Sequence, residues 1–248
     1  MSATKQTLTI GLPVYNGEQY LTQALDSIIN QSYQKFKLII SDNASTDKTE
    51  EICRHYTEKD ERIEYHRNPV NKGAAWNFNH VFYLSDSKYF KWAAADDVCS
   101  SDLFAKCISV LQNEPSVALA FGSIKHIDET GTEFRQWSYP PLISANSPAK
   151  RFGYMLNSNH SCMAVFGVYR SSILKNTALL GNYASSDENL LAQICLSGKM
   201  FEIKDSFFYR RFHNDTSCSV YPSEYSRAEW FDPENDGRVV FPGWRLLL

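Results

Sequence analysis

The stretch Tyr89-Phe90-Lys91-Trp92-Ala93-Ala94-Ala95-Asp96-Asp97 runs from a short apolar segment, strand-like over Tyr89 to Ala93, straight into two adjacent carboxylates. Short apolar runs bounded by polar residues are the pattern of strands buried on both faces. Toward the N-terminus the pattern recurs. Ile63 and Tyr65 mark a shorter strand, Phe36 to Ile40 another, and Leu8 to Leu12 the first, which Pro13 is expected to stop. Helical spacing fills the gaps, with Tyr20, Leu21, Ala24, Leu25, Ile28 and Ile29 in one segment. A second helix runs through Ile52 and Tyr56, and a third over Ala74 to Leu84. Asn16, with Gln19 three residues on, is placed to cap the first helix as in a capping box. Strands alternating with helices imply an α/β fold of parallel β-α-β units with right-handed crossovers. Ligands of such sheets sit beyond the carboxyl ends of the strands. The clusters Tyr15-Asn16, Asp42-Asn43, Asn71-Lys72-Gly73 and Asp96-Asp97 all fall at those ends.

The second half is less regular. Val117 to Phe121 reads as a strand, Asp128 to Gly131 as a hairpin turn, and Ser147 to Met155 as a helix. Met163 to Tyr169 reads as extended, Asp187 to Leu196 as a helix burying Leu190, Leu191, Ile194 and Cys195, and Phe201 to Tyr209 as a strand. No repeat or linker interrupts the chain, so one domain is expected. The 248 residues, 43% apolar and 14% aromatic, suffice for one substantial core. The net charge of −3 and the lack of a basic stripe argue against a nucleic-acid binder. Six scattered cysteines without a C-x-x-C pair read as reduced thiols of a cytosolic protein. The N-terminus lacks the apolar core of a signal peptide, and no apolar run approaches the ~20 residues that span a bilayer. The apolar end, Trp-Arg-Leu-Leu-Leu, reads as truncation of a longer chain.

Adjacent carboxylates at the end of a buried strand raise each other's pKa. A divalent cation removes that cost, and Mg²⁺ or Mn²⁺ typically takes one or two carboxylates plus substrate phosphates. The alternative for Asp96-Asp97 is a cap on the following helix, near Ser100 and Ser101. Asp42, in Ser41-Asp42-Asn43-Ala44-Ser45-Thr46-Asp47, is able to accept from a nucleobase N–H, or else belongs to ordinary Asx turns leading to a helix cap at Ser45 or Thr46. Arg210, Arg211 and His213 suit a phosphate or metal–phosphate complex, or form a solvated basic strand end. Asp187 opens a helix, either as a dipole partner or as a general base on a rigid element.

Taken in order, six segments resemble the family-2 inverting glycosyltransferases, over about residues 7 to 217. Ile10 to Glu18, with Pro13, Tyr15 and Asn16, is similar to the family's P-x-Y-N opening. Ile40 to Asp47 looks like its D-[DN]-x-S-x-D uridine loop, and Asn71-Lys72-Gly73 like its N-x-G turn. Ala95-Asp96-Asp97 stands at D-x-D, Ser186-Asp187-Glu188 at E-D, and Arg211-Phe212-His213 at R-x-H. Three positions depart from the pattern: Ala94 replaces the first aspartate of D-x-D-D, Ser186 the glutamate before the base, and Gln193 a common arginine.

The resemblance implies a GT-A fold, a Rossmann-like, mostly parallel sheet flanked by helices with a smaller irregular acceptor-side half. It divides the chain into a glycosyltransferase domain over 1–217 (nucleotide half about 1–98, acceptor half about 99–217) and a C-terminal extension over 218–248. It implies inverting transfer of a sugar from a nucleotide-diphospho-sugar, UDP-linked by the base loop, to a hydroxyl of a saccharide or lipid-linked saccharide. The setting would be bacterial polysaccharide or glycolipid synthesis, with peripheral membrane association. Asp187 is implied as base, and Asp97, Asp96 and His213 as ligands of Mn²⁺ or Mg²⁺. Pro13, Tyr15, Asn16, Asp42, Asn71, Lys72, Gly73 and Asp96 are implied to line the nucleotide pocket. A nucleotidyltransferase would place a Gly-rich loop after the first strand, where Leu12 to Gly17 has one glycine only. A non-catalytic sugar-nucleotide-binding domain is the other alternative.

Overall fold

A computed structural model describes residues 6–158, 160–221 and 223–233. The first half follows the alternation expected: β1 (Leu8–Val14), α1 (Leu21–Ile29), β2 (Phe36–Asp42), α2 (Thr49–Lys59), β3 (Ile63–Arg67), α3 (Ala74–Tyr83) and β4 (Tyr89–Trp92). Next come β5 (Val98–Cys99), α4 (Leu103–Asn113), β6 (Val117–Ile127), β7 (Glu133–Trp137), α5 (Pro148–Asn157), β8 (Val168–Arg170) and α6 (Ser171–Leu174). The remaining elements are α7 (Ser186–Ser197), β9 (Lys199–Arg211), α8 (Ser217–Val220) and α9 (Glu224–Phe231).

Among the described residues nine strands form one sheet in the order β3-β2-β1-β4-β8-β6-β9-β5, with β7 paired to the far part of β6. Pairing directions put β1, β2, β3, β4, β6 and β9 parallel to one another, and β5, β7 and β8 against them. The carboxyl ends of those six strands therefore share one edge of the sheet. Register makes that edge even: Val14 is level with Asp42, and Asp42 with Arg67. On β1, Leu8, Ile10 and Leu12 face a core completed by Leu21, Leu25 and Ile28 of α1, Cys53 of α2, and Phe104 and Ile108 of α4. Trp92, Val81, Leu190, Leu191 and Ile194 fill the opposite face, beneath α3 and α7. Each such side chain, removed from water, contributes about 1.5–3 kcal/mol relative to its exposed state. Gly11 lets α3 lie close, since a Cβ there would stand 2.5 Å from Val81 Cγ2.

Four boundaries differ from the sequence reading. β1 continues through Pro13 to Val14, because a proline one residue from a strand end costs little of the ladder. Asn16 does not cap α1: Tyr20 stands at the cap, without a side-chain hydrogen bond, while Asn16 has φ 51° and its Oδ1 accepts from the Thr46 amide at 2.8 Å. Cys162–Phe166 is a 3-10 turn opened by Ser161 rather than extended chain, leaving only Val168–Arg170 in the sheet. β6 runs six residues past Phe121 to Ile127, and the expected turn at Asp128 to Gly131 joins it to β7. In that turn Asp128 Oδ1 accepts from the amides of Thr130 and Thr132. The apolar C-terminal residues 234–248 lie outside the described residues. No helix among the described residues is long and apolar enough to cross a membrane.

Candidate active site

The loops following β1 and β2 are tied to each other by side chains that accept from backbone amides. Ser45 Oγ takes the Asn16 amide at 2.9 Å, Thr49 Oγ1 that of Gly17 at 2.9 Å, and Asp47 that of Glu18 at 3.0 Å. Glu18 returns the contact by accepting from the Lys48 amide at 2.8 Å. Amides held in this way keep their direction without help from a ligand. Tyr15, 48% exposed, stands at the open side of this pair of loops, and Pro13 is buried beneath it.

Asp42 is fully buried, and its carboxylate is engaged by the protein itself. Oδ1 accepts from the Ser45 amide at 2.8 Å, and Oδ2 from Tyr65 Oη at 2.7 Å and Arg67 Nη1 at 2.9 Å. Burial and the adjacent carboxylate push the Tyr65 phenol above its usual range. Three donors leave Asp42 shaping the loop from within, so a base held there meets the loop before it meets the carboxylate. Neither Ser45 nor Thr46 caps α2, whose cap residue is Lys48.

Asn43 joins this loop to the third cluster. Its Nδ2 donates to Asn71 Oδ1 at 2.7 Å and its Oδ1 accepts from the Lys72 amide at 3.1 Å. Asn68 and Asn77 complete the net around Ser41, whose Oγ donates to Asn77 Oδ1 at 2.6 Å. Lys72 Nζ lies 4.2 Å over the Trp76 ring. Gly73 has φ +84°, and a Cβ there would meet the Phe231 carbonyl at 2.5 Å, so α9 packs directly on this turn. The sequence reading places Asn43 in the Asp42-Asn43 cluster without a role of its own, and gives none to Asn68 or Asn77.

Asp96 and Asp97 leave β4 as expected, and neither caps a helix; Asp102 is the cap residue of α4. Asp96 Oδ2 lies 3.1 Å from His213 Nε2. His213 Nδ1 accepts from the Asp215 amide at 3.3 Å, which assigns the ring proton to Nε2 and makes it the donor to Asp96. Asp97 is buried, and its Oδ1 accepts from the Arg211 amide at 2.7 Å. Burial, and then the Asp96 charge, raise the Asp97 carboxyl well above the usual carboxylate range. Lys91, 1% exposed in the middle of β4, sends its ammonium to the carbonyls of Trp92 and Phe166 and lends its charge to Asp97.

Arg211 is neither a solvated strand end nor a free phosphate ligand. It is buried, donating from Nε to the Asp96 carbonyl at 3.0 Å, from Nη1 to the carbonyls of Asp128 and Glu129, and from Nη2 to Gln23 Oε1 at 2.7 Å. It clips the Asp96-Asp97 segment, the β6–β7 turn and α1 together. Arg211→Met leaves three carbonyls without a donor and is expected to cost about 3 kcal/mol, as desolvated groups lose ~1–3 kcal/mol each. Urea denaturation measures it.

Asp187 sits at the first turn of α7, half-buried, with Oδ1 accepting from the Glu188 amide at 3.0 Å and the Cys162 thiol hydrogen-bonded to its side chain. Burial foremost, with the Glu188 charge, raises its pKa. Asp187 shares no hydrogen bond or ion pair with Asp96, Asp97 or His213 among the described residues. Arg210 links the two regions, since its charge lowers the proton affinity of both Asp97 and Cys162. Tyr139 and His160 stack loosely nearby at 6.5 Å, each with an unpartnered buried atom, Oη and Nδ1; the Ala164 amide faces Tyr139 Oη outside hydrogen-bond geometry. Ser186 Oγ is likewise buried without a partner, and Gln193 accepts from the Ala178 amide at 2.9 Å. Cys162, Tyr139 and His160 carry no sequence signal, being scattered across a loop-rich segment.

Among the described residues no three His, Cys, Asp or Glu side chains form a metal-binding cluster on their own. Two adjacent carboxylates with an imidazole at 3.1 Å nevertheless fit a cation that draws its remaining ligands from substrate phosphates.

The overall architecture matches solved glycosyltransferases. Staphylococcus aureus TarS 1–349 in complex with UDP-GlcNAc superimposes with TM-score 0.68 at 16% identity, covering 86% of this chain and 60% of that one. The mannosyltransferase PcManGT from Pyrobaculum calidifontis, in complex with GDP-Man and Mn²⁺, gives 0.62 at 15%, covering 86% and 59%. At such identity the likeness establishes the fold, that of the GT-A glycosyltransferases. An uncharacterized glycosyltransferase of Haemophilus influenzae is 33% identical over 129 residues, 52% of this chain and 51% of that protein. The putative teichuronic acid biosynthesis glycosyltransferase TuaG of Bacillus subtilis is 28% identical over 141 residues, 57% and 56% of the two chains. The matches span about half the length of these relatives. Residues 9–177, from β1 to the end of α6, match glycosyl transferase family 2, and the chain belongs to that family.

Proposed function

We propose that this chain is an inverting glycosyltransferase that moves a sugar from a UDP-sugar to a hydroxyl of a saccharide or lipid-linked saccharide. The observation that carries the reading is the contact of Asp96 with His213, beside the buried Asp97, at the edge where the preorganised loops of β1, β2 and β3 also end. In this reading Pro13, Tyr15, Asn16, Asn71, Lys72 and Gly73 line the nucleotide pocket, and Asp42 holds the base-facing loop in shape. Asp97, Asp96 and His213 would hold Mn²⁺ or Mg²⁺. Such an ion supplies positive charge against the leaving diphosphate. As a ligand His213 would present Nε2 without its proton and would give up its bond to Asp96. Asp187 takes the proton from the acceptor hydroxyl as the new bond to the anomeric carbon forms and the bond to the diphosphate breaks. Its raised pKa suits it to that role, because a base is most effective when its pKa nears the working pH.

The similarity to TuaG, described as a putative teichuronic acid biosynthesis glycosyltransferase, supports a setting in bacterial polysaccharide synthesis. PcManGT was solved with Mn²⁺ and a nucleotide sugar, which supports the same ion type here. A thermal-shift screen across nucleotide-sugars tests the reading, since a ligand of the folded state raises the apparent stability. UDP-sugars with Mn²⁺ are expected to raise Tm, by more than the same donors in EDTA. A chain stabilised by no nucleotide would not fit it.

A further inference from the structure

A row of side chains crosses β7, β6 and β9. Arg135 of β7 is the cross-strand partner of His126 of β6, and His126 is the partner of Arg210 of β9. Directly opposed residues lie on the same face of a sheet, with Cβ atoms ~5 Å apart. Aromatic rings border the row. His126 is 4.7 Å from Phe212 and 5.9 Å from Phe134, those two rings are 5.6 Å apart, and the Arg210 guanidinium lies 4.6 Å over Phe212. Arg135 lies 5.3 Å over Trp137 and makes no ion pair among the described residues.

Two guanidinium groups flanking one imidazole repel one another, and neighbouring like charges in a sheet cost stability. His126 is 8% exposed, and its Nε2 is buried without a hydrogen-bond partner. Burial, with Arg210 and Arg135, holds the imidazole toward its neutral form. A buried nitrogen left unpaired is destabilising. An anion laid along the row offsets both costs.

We propose that the Arg135–His126–Arg210 row binds a phosphoryl group carried by the acceptor, with Phe134 and Phe212 as the platform for an adjoining sugar ring. This rests on the glycosyltransferase reading for the identity of the acceptor. Guanidinium forks match phosphate oxygens. Phe134, 58% exposed on β7, lies 5.9 Å from the imidazole, and a turn of its ring would open that side of His126. The acceptor is taken as the source rather than the donor diphosphate because the row is built on β6, β7 and β9, outside the loops after β1, β2 and β3 that the nucleotide reading uses. The charge of Arg210 reaches both Asp97 and Cys162, so a group bound here lies within electrostatic reach of both. Phe212 is followed directly by His213.

The test is calorimetric titration of the full chain, with Mg²⁺ and saturating UDP, using inorganic phosphate, glucose 6-phosphate and glucose. Both phosphates are expected to bind, glucose 6-phosphate more tightly than inorganic phosphate, and glucose weakest. Arg135→Gln, an exposed change, is expected to weaken both phosphates about tenfold, the worth of one charged hydrogen bond, with UDP affinity unchanged. His126→Gln is expected to act in the same direction. No phosphate binding, binding unaltered by Arg135→Gln, or phosphate displaced by UDP would overturn the site. Equal affinity for inorganic phosphate and glucose 6-phosphate would overturn the sugar platform. A chain that binds phosphate through Arg135 but never binds UDP would refute the nucleotide reading and leave the anion site standing.

Discussion

Asp187→Asn is expected to bind UDP with parental affinity and to transfer sugar at least about 10²-fold more slowly, the usual contribution of a positioned general base. The amide keeps the shape of the side chain and an oxygen for the Glu188 amide, so the start of α7 should persist. What it lacks is the ability to take a proton. The same substitution separates a catalytic carboxylate from a structural one through stability. Burial holds the folded-state pKa of Asp187 above its unfolded value, so the folded chain binds that proton more tightly than the unfolded chain does. Its ionisation therefore weakens the fold as pH rises through the raised pKa, the reverse of a salt-bridged aspartate. Asp187→Asn removes that penalty and should leave Tm at neutral pH unchanged or higher. Activity of the parent should fall on acidification at a pH above the ~3.9 of an ordinary aspartate. Transfer by Asp187→Asn at the parental rate would remove Asp187 from the mechanism.

Asp97→Asn should lose more than about tenfold in UDP affinity when Mn²⁺ is present, and nothing when the metal is chelated. Even partners one layer outside a metal cost 10–100-fold when changed, so a ligand should cost no less. Asparagine rather than alanine is the informative choice, because its oxygen still accepts from the Arg211 amide and the end of β9 stays in place. The physical basis is the Asp97 carboxyl, whose charge is disfavoured by burial and by the neighbouring Asp96. A cation held there would favour the ionised form of Asp97. Calorimetry with and without Mn²⁺ reads the difference. Equal affinities for parent and variant in Mn²⁺ would show that Asp97 is no ligand.

The first half of the fold was legible because strands covered on both faces leave little room for polar residues. Leu8 to Leu12, Phe36 to Ile40 and Tyr89 to Trp92 announce themselves by composition, and the polar clusters after them mark the shared carboxyl edge. The second half was less so, for separate physical reasons. Cys162–Phe166 is apolar and short, and periodicity does not separate a buried turn of helix from a strand at that length. The outer part of β6, Ser-Ile-Lys-His-Ile, breaks polar–apolar alternation at the adjacent Lys125 and His126 and pairs with a hairpin strand that is itself almost wholly exposed. Asn16 was misread because asparagine both caps helices and tolerates positive φ, and here the second property is used.

The site divides along similar lines. Asp96-Asp97 and His213 meet because β4 and β9 are parallel members of one sheet, which the order of elements anticipates but a contact at 3.1 Å does not. Arg211 shows the limit most clearly. A charged residue at a strand end reads as solvated, yet three carbonyls from two segments need donors there and a guanidinium with five N–H groups supplies them. Asp42 reads as a group that meets the ligand, and the structure uses it to brace the loop that would. Gly73 appears in sequence as a turn glycine, while its environment is set by Phe231, far along the chain.

The most direct test of the central claim is diffraction from crystals grown with a UDP-sugar and Mn²⁺, with the metal located by its anomalous signal. The account predicts one manganese between the Asp97 carboxylate and the diphosphate, with His213 turned from Asp96 toward it and uracil on the loop that Asp42 braces. Nucleotide bound with manganese elsewhere, or bound away from the ends of β1, β2 and β4, would contradict it.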